Sequence, residues 1–214
     1  MPIDTNKREY RRIDIHDIET RKEEDGQMVV EGYATTFNQP YTLIQDRKAV
    51  LDEQVDAGAF AECDMSDVIM QYDHAGRVFA RVKNGTLAVD PDEHGLKIRA
   101  YLGGTEIGRQ LFEEIAGGYT DKMSFGFTVA KDDVQRSKTE DGRMRILRTI
   151  TKIGKLFDVS AVSLPANDAT EISARAIGDG LIAEAMEEVR AEEERAKRIE
   201  EIRNILKGER TDDE

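Results

Sequence analysis

Between Met28 and Leu164 the chain repeatedly alternates large apolar with small or polar residues over short runs, and turn signals cut those runs before they lengthen. This pattern restricts the fold more than any other, because a period of two matches the two faces of a β-strand and not the 3.6-residue turn of a helix. Residues 28–37, 68–72, 78–82, 86–89, 96–102, 144–153 and 156–164 read as strands, and 41–45 as a strand or extended arm. Asn38-Gln39-Pro40, Asn84-Gly85 and Pro91-Asp92-Glu93-His94-Gly95 supply turns, 56–62 a short helix or turn, and the polar excursion 131–142 an exposed hairpin tip. Only 105–116 clearly changes period, with Ile107, Leu111, Phe112 and Ile115 on one stripe and Gly117-Gly118 closing it. Many short strands with one or two helices predict a mainly β, α+β fold. The expected form is an antiparallel β-barrel, closed or nearly so, flanked by helices.

The two ends have a different character. Residues 1–27 are charge-dense without sustained periodicity and read as an arm or an edge strand, leaving 28–177 as the main domain. From Gly178 the composition turns to Ala, Glu, Arg and Lys, which predicts an acidic helical tail over 178–214. Ile182, Met186, Val189, Ala196, Ile199, Ile202 and Leu206 form a loose stripe on it, but Glu192-Glu193-Glu194 interrupts the stripe, so a long coiled coil is not expected.

A formal net charge of −13 argues against a nucleic-acid partner and against an anionic membrane surface, since both are bound by clustered Lys and Arg. A single cysteine, Cys63, excludes an internal disulfide and any multi-cysteine metal site, and suits a reducing compartment. No apolar run approaches the roughly 18 residues of a membrane span, and no signal-peptide core begins the chain. The expectation is a soluble intracellular protein. No cofactor motif is present, and the three histidines are too scattered to suggest a metal site.

Chemistry is concentrated in three segments. In Lys122-Met123-Ser124-Phe125-Gly126-Phe127-Thr128-Val129 the odd positions are large and apolar, so Ser124 points away from the core, and Gly126 on the same face leaves room for another chain to approach the hydroxyl. A serine nucleophile needs a base, usually a histidine oriented by a third polar group. His16 lies in the charged arm and His94 in a turn, whereas His74 ends an apolar strand and is the candidate base. Asp158 interrupts an otherwise apolar strand and is the candidate orienting group; a rim salt bridge is the plainer account of it, and Ser160 on the same face is either a helper or the group that satisfies it. A Ser124–Lys122 dyad is conceivable, but two residues along a strand span about 7 Å.

Together these segments resemble the prohead proteases of tailed bacteriophages, a serine-protease family related to herpesvirus assemblin. The resemblance rests on Glu31-Gly32-Tyr33-Ala34-Thr35-Thr36-Phe37-Asn38, on Gly58-Ala59-Phe60, on Tyr72-Asp73-His74 with the hairpin after it, on Met123-Ser124-Phe125-Gly126-Phe127, and on Asp158-Val159-Ser160-Ala161-Val162-Ser163-Leu164-Pro165-Ala166-Asn167. It implies a herpesvirus-protease-like barrel, with His74 as general base, Ser124 as nucleophile and Asp158 as third member, no cofactor, and oxyanion donors after the last catalytic strand. It implies cleavage of scaffold and capsid-protein extensions, and of the chain itself, within the assembling procapsid in the bacterial cytoplasm. A homo-oligomer is compatible with it, since the herpesvirus relatives dimerise, although no uninterrupted apolar interface can be read. The rival expectation is a catalytically idle assembly protein with the same fold, and a weaker one is a plain binding barrel.

Overall fold

The structure is a computed structural model that describes residues 7–13, 18–24, 26–162 and 168–208. The strands are β1 (Arg8–Ile13), β2 (Glu19–Lys22), β3 (Met28–Thr36), β4 (Tyr41–Gln45), β5 (Ala49–Val55), β6 (Ile69–Tyr72), β7 (Ala75–Arg81), β8 (Leu87–Pro91), β9 (Gly95–Tyr101), β10 (Lys122–Lys138) and β11 (Met144–Val162). Helix α1 (Glu106–Ala116) follows β9, and α2 (Asp168–Gly208) follows β11. The fold is therefore α+β and mostly strands.

The expected closed antiparallel barrel is not what forms. Among the described residues the strands make two sheets, one ordered β1-β10-β11-β5-β4 with β6 and β7 attached to β11, the other β2-β3-β9-β8. The physical reason lies in β11, which is one continuous strand of 19 residues rather than two. Along one edge it pairs antiparallel with β10; along the other it pairs parallel first with β5, then with β6. Among the described residues an isolated bridge, Phe37 to Val55, links the two sheets, and β2 and β8 lie at the edges of theirs. The polar segment 131–142 is also not merely a tip: β10 runs on to Lys138, and its turn is closed by Thr139 N–H donating to Arg143 O.

The core lies between the sheets and under α1. Met123, Phe125, Phe127 and Val129 are buried as the alternation requires, with the rings of Phe125 and Phe127 stacked at 4.5 Å. Helix α1 starts at Thr105, whose hydroxyl accepts from Gly108 N–H at 3.1 Å, and it buries Leu111, Phe112 and Ile115. Gly178, read from sequence as the start of the tail, lies inside α2; a Cβ there would come within 2.2 Å of Ile44 Cδ1, so the glycine lets the helix seat on β4 and β5. Leu181, Ile182 and Ala185 continue that contact. Beyond it Ile199, Ile202 and Ile205 are exposed. The expectations for residues 163–167, for most of the N-terminal arm outside β1 and β2, and for 209–214 lie outside the described residues.

Candidate active site

Ser124 enters from β10, where it lies opposite Ser160 of β11. Asp158 lies two residues earlier on β11, opposite Gly126. His74 arrives from the far side of β11: β6 pairs with 158–161, and the hairpin turn after it reaches back over β11 to β10. That turn has two residues, Asp73 and His74, with φ of 49° and 56°. Two left-handed residues in succession make the type I′ turn that suits a tight hairpin, which usually carries Asn-Gly. Such φ values in residues with a Cβ store of order 1–3 kcal/mol of strain each, tolerated where the surroundings over-determine them. Asp73 N–H donating to Ala161 O at 3.1 Å is one such determinant.

The three side chains meet. His74 Nε2 is 2.5 Å from Ser124 Oγ, and His74 Nδ1 is 2.5 Å from Asp158 Oδ1. Ser160 donates its hydroxyl to the same Oδ1 at 2.7 Å, and Arg8 pairs with Oδ2. Ser160 is thus a group that satisfies Asp158, and Asp158 is no rim ion, being 0% exposed. Burial pushes the Asp158 pKa up, but the hydrogen bond and charge of His74, the Ser160 hydroxyl and the Arg8 guanidinium outweigh it and hold it below the usual carboxylate range. With Asp158 ionised and accepting a hydrogen bond from Nδ1–H, Nε2 faces Ser124 as an acceptor, the tautomer a general base needs.

Two sequence expectations need correction here. Ser124 does point away from the apolar core, but its face is not open: it is only 1% exposed, and the His74 side chain 6%. The room at Gly126 is also filled from within, since a Cβ there would lie 2.4 Å from Asp158 Oδ2 and 2.9 Å from Arg8 Nε. The residues that sequence reasoning missed are those of β1. Arg8 binds Asp158, the Tyr10 ring sits 4.5 Å from that of His74, and Ser124 Oγ donates to Arg11 O at 2.8 Å. A hydroxyl has one proton, so Arg11 O competes with His74 Nε2 for it.

On its other face β1 enters a buried ion cluster. Arg11 donates to Glu53 from Nε at 2.5 Å and from Nη2 at 2.9 Å, and to Glu9 at 2.5 Å. Arg148 donates to Glu53 at 2.8 Å, to Glu9 at 2.9 Å and to Asp132 at 2.6 Å, and the Tyr41 hydroxyl donates to Glu53 at 2.6 Å. Burial raises the Glu53 pKa, yet the two guanidiniums and the Tyr41 hydroxyl bring it below its ordinary value. His94, the other described histidine, packs edge-on to Tyr33 in the β8–β9 turn. Among the described residues no three His, Cys, Asp or Glu side chains converge on a metal-sized space. The oxyanion donors expected after the last catalytic strand carry no residue assignment, and 163–167, which follow β11, lie outside the described residues.

Comparison with known proteins gives a family and a structural likeness. The family model described as "Caudovirus prohead serine protease" matches residues 16–188. Among solved structures, the bacteriophage T4 capsid assembly protease gp21 is similar at 12% identity and a TM-score of 0.39, over 75% of this chain and 100% of that chain. No curated protein matches.

Proposed function

The chain belongs to the caudovirus prohead serine protease family, and from that premise we propose that it is a capsid-maturation endopeptidase working through His74, Ser124 and Asp158. The observation that carries the proposal is the relay itself, Ser124 Oγ to His74 Nε2 to Asp158, with both links at 2.5 Å and drawn from two strands and the β6–β7 turn.

In the reaction His74 Nε2 takes the Ser124 proton as Oγ attacks a peptide carbonyl; the imidazolium then protonates the leaving amine, and water, deprotonated by the same nitrogen, hydrolyses the acyl-enzyme. Asp158 keeps the ring in the required tautomer and stabilises the imidazolium. The substrates are scaffold and capsid-protein extensions inside the assembling shell, and the chain itself. The acidic tail 178–214 serves as the element that retains the protease there and is trimmed.

The burial of Ser124 favours a second reading, a catalytically idle assembly protein of the same fold. Co-expression with the cognate capsid and scaffold proteins separates the two. Ser124→Ala and His74→Ala abolish processing in the protease, whereas unchanged processing in either variant overturns the catalytic assignment.

A further inference from the structure

At Ser124 both lateral edges of β10 are filled, by β11 on one side and by β1 on the other. Arg12 lies opposite Ser124, and Arg11 opposite Phe125. From that position β1 touches every member of the relay: Arg11 O takes a hydrogen bond from Ser124, Tyr10 covers His74, and Arg8 holds Asp158. A scissile carbonyl must come within about 3–3.5 Å of the attacking oxygen. A serine 1% exposed beneath a paired strand admits none. The relay is assembled and shut.

The strand that shuts it is built like a substrate. Extended peptides commonly bind by adding a strand to a sheet edge, with backbone hydrogen bonds for affinity and alternate side chains for specificity. β1 does this within the chain, antiparallel to β10 over 123–128. It also precedes the matched family region, which begins at residue 16.

Charge describes what could replace it. The ion cluster holds Arg11 and Arg148 against Glu9, Glu53 and Asp132. Departure of β1 removes Arg11 and Glu9 together and leaves Arg148 facing two carboxylates. A replacement strand that brings a cation, without an acidic residue two positions before it, balances them.

We propose that the β10 edge beside Ser124 is the substrate groove, that β1 occupies it as a resident substrate-like strand, and that its displacement admits an extended peptide with Arg or Lys in the place of Arg11. This rests on the protease reading above. The residue in Arg11's place supplies the carbonyl nearest Ser124 Oγ, so the basic residue precedes the cut bond.

The test uses the full chain carrying Cys63→Ser with Arg8→Cys and Thr128→Cys, at positions that face each other across β1 and β10. Its thiols are oxidised to lock β1 or kept reduced, and Ser124 is labelled with a fluorophosphonate. The locked form labels at least about tenfold more slowly than the reduced form. Equal rates, or thiols that fail to cross-link because β1 does not reside on β10, overturn the proposal. On the reduced form, a peptidyl diphenyl phosphonate with a guanidinium side chain beside phosphorus reacts about tenfold faster than its carboxylate analogue; equality or reversal removes the basic preference. If no probe labels Ser124 in either form or in the chain that keeps Arg8 and Thr128, the protease reading itself has failed, whereas labelling indifferent to the lock leaves that reading standing and sinks only the gate.

Discussion

Gly126→Ala is the sharpest available perturbation of the relay, because it adds one methyl group directly opposite Asp158. The new Cβ would start 2.4 Å from Asp158 Oδ2, against 3.4 Å for an ordinary contact, so the carboxylate must retreat by 3.4 − 2.4 = 1.0 Å. It cannot retreat freely, being tied to His74 at 2.5 Å, to Ser160 at 2.7 Å and to Arg8. Arg8 gives way cheaply, since the far end of a flexible side chain can swing aside. A retreat of this size takes the His74–Asp158 bond to the edge of a hydrogen bond. Misplacement by about 1 Å costs roughly 10²-fold, and loss of the orienting interaction about 10⁴-fold, which brackets the expected fall in turnover. Overpacking adds about 1–3 kcal/mol of destabilisation, a drop of several degrees in melting temperature for a chain of this size.

The assay is turnover of a scaffold-derived peptide alongside thermal melting, with Gly104→Ala as the control, because a Cβ at Gly104 meets nothing within 4 Å. If Gly126→Ala acts through Asp158, the Gly126→Ala/Asp158→Ala double variant is no slower than Asp158→Ala alone. Wild-type turnover in a folded Gly126→Ala protein, or fully multiplicative losses in the double variant, would refute the reasoning.

Three further predictions concern the relay, the ion cluster and Cys63. Asp158→Ala retains activity measurably above Ser124→Ala, while Ser160→Ala, which removes one of the donors to Asp158, loses about tenfold and melts lower by a hydrogen bond to charge, about 1.5–3 kcal/mol; a Ser160→Ala enzyme indistinguishable from wild type in both would show the 2.7 Å bond to be idle. Glu53→Gln takes the shared carboxylate from two buried guanidiniums, leaving Arg11 with Glu9 and Arg148 with Glu9 and Asp132, and costs about 3–5 kcal/mol, read as a lower denaturant midpoint. Because the folded pKa of Glu53 lies below its unfolded value, its stabilisation is complete above the ordinary carboxylate range and is lost as pH falls through the lowered value; the wild type therefore weakens on acidification more steeply than Glu53→Gln, and parallel curves would contradict this. Burial pushes the Cys63 thiol up to about 11, so iodoacetamide alkylates it slowly at neutral pH and increasingly as pH approaches that value; rapid neutral labelling would mean the 60–64 turn opens.

The parts of this fold legible in sequence are those where one segment's own pattern decides the outcome. The odd face of β10 and the stripe of α1 are of this kind. Strand β5 was not legible because it carries Asp52-Glu53-Gln54, which looks like a solvated turn until Arg11, Arg145 and Arg148 are brought against it by other strands. The continuity of β11 escaped for a similar reason. Gly154 and the surrounding lysines resemble a break, but the strand continues because register shifts in β10 around 126–132 absorb the irregularity. At the site, Ser124, His74 and Asp158 could each be singled out, yet the path by which His74 reaches Ser124 depends on a type I′ turn that Asp73-His74 does not advertise. The cover by β1 was invisible because Arg8–Ile13 presents charges on both faces, and each face finds its counter-charge only in the folded chain: Asp158 on one side, Glu53 on the other.

The two faces of β1 together set how a gated relay would respond to its surroundings. Releasing β1 breaks the Arg8–Asp158 pair and withdraws Arg11 and Glu9 from the buried cluster, and breaking one buried ion pair already costs about 3–5 kcal/mol. At 1.36 kcal/mol per tenfold, the open form is then roughly 10⁻² to 10⁻⁴ of the population. A substrate that binds only the open form has its apparent affinity weakened by that fraction, so an intrinsic dissociation constant of about 1 μM becomes about 0.1–10 mM. Free peptide at micromolar concentration is then cut barely at all, while segments held at the millimolar effective concentrations of a tethered or crowded assembly are cut readily. The measurement is cleavage of one substrate sequence presented free and fused to the C-terminus of the protease through a flexible linker, with and without Arg11→Met. The fused substrate is cut at least about tenfold faster than free peptide at micromolar concentration, and Arg11→Met narrows the gap by raising the open population. If free and fused substrates differ equally in both proteins, β1 does not set the threshold, and the tightness of its ion pairs serves the sheet alone.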